Sequence, residues 1–224
     1  MGTERFDTVG TDENFAEDYT ERLGSYRGSA LYADKEFTSV QHDLLLESLK
    51  KVFFRRDKQR IRDDAWARTE HDEQPVNGLI TGDTRVQTFT AYVRKMFTSG
   101  TRIYVTKIFD AGNTVGLGWV NIVDYDAVPK KYFVGLNADY MTNSYSWGLN
   151  YHYWASVLAH EMLHNLGYRH EGGYPGSLIT EWGTAIHHDR SGNFDDDGWI
   201  NGRPDGFGLT TLPMPRSFCT ARTP

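Results

Sequence analysis

The stretch YHYWASVLAHEMLHNLGYRH, residues 151–170, constrains this chain more than any other. Its first part reads as a helix over 151–167, with Leu158, Met162 and Leu166 along one side and Ala155 and Ala159 beside them. Into this apolar segment the chain sets His160 and His164, with Glu161 directly after the first. Helical residues four apart share one face a turn apart, so both imidazoles can reach one point in space. Glu161 lies about 100° round from His160, near that point without occupying it. Gly167 would cost ~1 kcal/mol against alanine inside a helix, but at a helix end it takes a positive φ and turns the chain. His170, three residues on, can then swing back to join the pair. Catalytic zinc takes three protein ligands and leaves a further position for water. Two plainer readings compete: three satisfied histidines on a helix and its cap, or a structural metal site beside an incidental glutamate. Glu161 favours a metal site with its own base, because a purely structural site has no need of it.

Other segments place this helix in a fold. QHDLLLESLKKVFFRR, 41–56, has Leu45, Leu49, Val52 and Phe53 at helical spacing, and the pattern extends to about Arg62. A second helix is expected over 84–100, striped by Val86, Phe89, Val93, Met96 and Phe97, with Asp83 as N-cap and Gly100 as stop. The period then shortens to two. TRIYVTKIF, 101–109, and TVGLGWVNIV, 114–123, read as strands joined by the turn DAGN, and so as an antiparallel pair. The glycines of the second strand mark a bulge or a close backbone approach. KKYFVGLNADYM, 130–141, is a third strand, and SLITEWGTAIHH, 177–188, the last helix. Residues 1–38 show no clean period and read as an irregular, acidic surface segment.

Composition narrows the class. A chain of 224 residues with 39% hydrophobic content suits one domain, 1–224, with its own core. The net charge of −6 argues against nucleic acid, and no apolar run is long enough to span a membrane. The basic cluster Lys50, Lys51, Arg55, Arg56, Lys58, Arg60 and Arg62 reads as a solvated helix face. One cysteine, Cys219, rules out an internal disulfide and a cysteine-built zinc site. It leaves the compartment open between the cytosol and bacterial secretion, with a slight tilt toward secretion. DRSGNFDDDGWINGRPDGFG, 189–208, carries five aspartates among glycines; it is an acidic solvated loop or a calcium (Ca2+) site.

HEMLHNLGYRH matches, residue by residue, the HExxHxxGxxH zinc signature. Over these 11 of 224 positions the chain resembles the metzincin metallopeptidases. The resemblance implies an α+β fold: a mixed twisted sheet with helices in an upper subdomain, 39–167, ending in the active-site helix, and a small irregular lower subdomain, 168–224. It implies zinc (Zn2+) held by His160, His164 and His170, Glu161 as general base, and hydrolysis of a peptide or protein substrate by a monomer. The substrate would lie antiparallel to the sheet's edge strand, by analogy TVGLGWVNI. Tyr168, Tyr174, His187 and His188 are candidates to stabilise the oxyanion, and Asp7, Asp12 or Glu13 to reach the metal from a pro-segment. One departure concerns the methionine turn that metzincins carry beneath the zinc. After His170 the sequence has only Met214, with ten residues following it, so either Met214 plays that part, or an apolar residue such as Leu178 does, or the lower subdomain is built differently. Two other functions compete: a zinc amidase acting on a cell-wall or other non-protein peptide, and an inactive metal-binding module.

Overall fold

The computed structural model describes residues 19–26, 28–69, 89–91, 93–94, 96–108, 114–118, 131–168, 170 and 177–189. They form an α+β unit with a five-stranded mixed sheet. Strands β1 (Thr20–Tyr26) and β2 (Ser29–Asp34) come first, then helices α1 (Ser39–Arg55) and α2 (Gln59–Arg68). Strands β3 (Arg102–Ile108), β4 (Gly116–Gly118) and β5 (Lys131–Asn137) follow, and then helices α3 (Tyr151–Asn165) and α4 (Leu178–His188). The spatial order is β1-β2-β3-β5-β4. β2, β3 and β5 run parallel, while β1 and β4 are antiparallel at the two edges.

Period two divides the sheet. Leu31 and Ala33 on β2, Ile103 and Val105 on β3, and Tyr132, Val134 and Leu136 on β5 enter one core with α1, α3 and α4. The opposite face carries a ring ladder in register: Tyr32 stacks on Tyr104 at 5.0 Å and Tyr104 on Phe133 at 5.3 Å. Helix α1 starts at a capping box, in which Thr38 accepts from the Gln41 amide and Gln41 accepts from the Thr38 amide. The Gln41 side chain also donates to the carbonyls of Ala138 and Met141, tying α1 to the turn after β5.

Four expectations are corrected. Residues 1–38 are not irregular throughout, since β1 and β2 lie within them. β2 is covered on both faces, so it shows no alternation, and β1 carries a register shift between Arg22 and Gly24. The helix expected to reach Arg62 ends at Arg55, and a separate α2 begins at Gln59, turned so that Ile61 and Ala65 enter the core. β3 and β4 do not form a hairpin, because β5 inserts between them, parallel to β3 and antiparallel to β4.

The basic cluster is a solvated face only in part: Lys58 and Arg60 are exposed, but Lys50, Lys51, Arg55 and Arg62 are buried. Each meets a polar partner: Lys50 meets Glu47, Arg55 meets Asp189, Arg62 meets Asp57, and Lys51 donates to His152 and the His187 carbonyl. Of the helix expected over 84–100, residues 89–91 and 93–94 are helical; the rest of that expectation falls partly outside the described residues.

No helix among the described residues is long and apolar enough to cross a membrane.

Candidate metal centre

Helix α3 is buried along most of its length, and sequence chemistry sets where it stops. Leu166 is its C-cap, and Gly167 follows at φ 89°. The Gly167 amide donates to the His164 carbonyl at 2.9 Å and the Tyr168 amide to the Leu163 carbonyl at 3.2 Å. These two bonds make a Schellman motif, which needs the left-handed residue that glycine supplies without steric cost. The reversal brings the Tyr168 carbonyl to 2.7 Å from His164 Nδ1. A carbonyl only accepts, so His164 carries its proton on Nδ1 and leaves the Nε2 lone pair bare.

His170 then returns to the helix. Its Nε2 lies 3.2 Å from His160 Nε2 and 3.2 Å from His164 Nε2. One nitrogen of each of the three rings lies within 4.8 Å of the others. A single proton on His170 Nε2 can point at only one of the two facing nitrogens, so the other contact is left without a hydrogen bond. A cation between the three satisfies all of them, and the group can hold a metal ion. On its far side His170 Nδ1 faces Ser177 Oγ at 3.4 Å. Ser177 is the N-cap of α4, yet its side chain makes no capping bond; its hydroxyl meets Thr180 Oγ1 at 2.8 Å.

Metal ligands must be unprotonated, and the setting keeps them so. Burial pushes His160 well below the ordinary histidine range, helped by His164 and His170 and opposed by a backbone hydrogen bond with Ile179. Burial lowers His164 to about 4 against the pull of the Tyr168 carbonyl. His170 falls to about 3, first through burial and then through His164. His160 and His164 are buried and His170 is partly buried, so His170 marks the more open side.

Glu161 is fully buried, and its carboxylate is not among the converging ligand atoms. It faces edge strand β4. The two β4 glycines lie opposite Leu136 and Val134, on the core face of the sheet, and come into direct contact with α3. This is the close backbone approach that their presence in a strand suggested.

Asn165, next to His164, was not singled out from the sequence, and its role is tertiary. Its Oδ1 accepts from the Phe133 amide at 2.8 Å, and its Nδ2 donates to the Phe133 carbonyl at 3.0 Å and the Glu161 carbonyl at 2.9 Å. The odd-numbered β5 residues point their backbone groups toward β4, as Asn137 does in donating to the Val115 carbonyl. At Phe133 the Asn165 amide therefore bonds both backbone groups and ties α3 to the sheet. Ser177 also escaped notice; a serine ahead of LITEW signals only a helix cap.

Other candidates fall elsewhere. Tyr168 meets the cluster through its carbonyl, while its ring packs edge-on to Phe89 at 6.1 Å. His187 and His188 stand at the C-terminal end of α4, about 15 Å along the helix from Ser177 by its rise per residue. Leu178 is buried in the core at the start of α4, immediately after Ser177. Asp189, the first aspartate of the acidic loop, pairs with Arg55 and Arg60. The remainder of that loop, Tyr174, Met214, and Asp7, Asp12 and Glu13 lie outside the described residues.

Comparison of the chain with protein-family models, with characterised proteins and with solved structures found no match.

Proposed function

We propose that the chain is a metzincin-type zinc endopeptidase. The observation that carries this reading is the convergence of His160, His164 and His170 on one point, with two ligand separations of 3.2 Å. Zinc–nitrogen bonds of about 2.0–2.1 Å in a tetrahedral site require nitrogens about 3.3 Å apart; the two His170 separations match this, and the third pair of nitrogens lies within 4.8 Å. The choice of imidazole donors without thiolate or a ring of oxygens also suits zinc over calcium.

A zinc ion bound there supplies a Lewis acid and makes water acidic enough to lose a proton near neutral pH. Glu161 accepts that proton and delivers it to the leaving amine. The Tyr168 carbonyl and the Ser177 hydroxyl hold two of the three rings in orientation. The substrate backbone would lie along β4, which is an edge of the sheet and stands against α3.

The test is Glu161→Gln in purified, zinc-loaded protein. We expect stoichiometric zinc and an unchanged fold, with cleavage of a denatured protein reduced by about 10²–10⁴, the range of general-base catalysis. Retained cleavage would remove Glu161 from the mechanism. Zinc binding with no cleavage by the unaltered protein, on denatured protein or on cell-wall peptide, would leave a metal-binding module.

A further inference from the structure

Gly116 and Gly118 share the β4 face that meets α3, and neither has a positive φ. Their backbone conformation is open to any residue, so what glycine contributes here is the missing Cβ. A Cβ on Gly118 would stand 2.3 Å from the Glu161 carbonyl oxygen and 2.6 Å from His164 Cβ. That is helix scaffold, which cannot yield without moving a metal ligand. A Cβ on Gly116 would stand 2.8 Å from Glu161 Oε1, 3.1 Å from Glu161 Cγ and 3.0 Å from Val157 Cγ1. Here the main obstacle is the far end of a flexible side chain, and the side chain is that of the assigned base. Asn165 fixes the register that makes these contacts reproducible, since it bonds the Glu161 carbonyl to Phe133 of β5, the strand on which β4 is paired.

We propose that Gly116 is a positioning residue, the bare wall against which the Glu161 carboxylate takes its direction, while the three nitrogens are oriented separately by Tyr168 and Ser177. This rests on Glu161 being the base. A methyl at 116 displaces the carboxylate and leaves the metal in place. A methyl at 118 displaces α3 and weakens the metal site itself.

The experiment uses the full chain loaded with zinc, an internally quenched peptide, and Gly116→Ala with and without Glu161→Gln. Expected for Gly116→Ala are zinc affinity and KM within about threefold of the unaltered protein and kcat lower by about thirtyfold or more. Added to Glu161→Gln, the same change should lower kcat by no more than about threefold, because both act through one carboxylate. Full additivity, or an unchanged kcat with only a lower melting temperature, would overturn the proposal in favour of plain packing. If Gly116→Ala does not fold, the double variant Gly116→Ala/Val157→Ala removes the second obstacle and is held to the same outcomes. If the unaltered zinc-loaded protein cleaves nothing, the peptidase reading fails, and the cobalt-loaded protein decides this inference alone. A pH midpoint of its visible spectrum moved alike by Gly116→Ala and by Glu161→Gln supports the wall. A midpoint moved by Glu161→Gln and not by Gly116→Ala overturns it, and so does one moved by neither.

Discussion

Helix α3 has a histidine group at each end, and the two ends obey different rules. Near its start, His152 presents Nδ1 to the buried Lys51 amine at 2.6 Å, and the same amine donates to the His187 carbonyl at 3.1 Å. Donor and acceptor meet, so the lone pair of His152 is spent inside the protein. Near its end, His160, His164 and His170 turn three nitrogens toward one another, and no single linear hydrogen bond serves both of the His170 contacts. A buried histidine is therefore a weak sign of a site. The telling feature is a set of lone pairs with more acceptors than donors.

The sharpest way to break this contrast is a pair of substitutions. His164→Ala should weaken metal binding by more than the roughly 100-fold that outer partners of a ligand can account for, and abolish any hydrolysis. His152→Ala should leave metal content unchanged and cost about 1–3 kcal/mol, because the Lys51 amine loses an acceptor. Equal metal loss from both, measured by metal analysis after dialysis, would erase the distinction.

Acidity separates the ends next. All three cluster histidines have folded-state values below the unfolded 6.5, so below that pH the unfolded chain binds more protons than the folded one. Their contribution to the stability of metal-free protein is full above 6.5 and is lost as pH falls through about 4 for His164 and about 3 for His170. The His164 share is on the order of 3 kcal/mol. Thermal melts of metal-free protein across this window should show the loss, and His164→Ala should flatten it. Smaller effects follow at the turn. Gly167→Ala should cost about 1–2 kcal/mol, since an L-residue is forced into the left-handed region. Ser177→Ala should loosen His170 and lower metal affinity by about tenfold, measured by chelator competition, with little change in melting temperature.

Much of the candidate metal centre is legible in the sequence. His160, Glu161, His164, Gly167 and His170 lie within eleven consecutive residues, and helical periodicity with one glycine turn brings the histidines together. Local rules suffice there because the spacing is local. The same rules miss β2, whose two covered faces erase alternation, and misjudge Lys51, whose partners on α3 and α4 come 101 and 136 residues later. They also pair β3 with β4, because short connections usually make hairpins.

By itself, then, the sequence determined the three-nitrogen cluster and the turn that closes it, since both follow from backbone geometry over a few residues. Only the tertiary structure decided that β5 separates β3 from β4, that Asn165 bonds the Phe133 backbone, and that Gly116 lies against Glu161. Those are contacts between segments tens of residues apart. They are set by which faces must be buried together, and no local period records that.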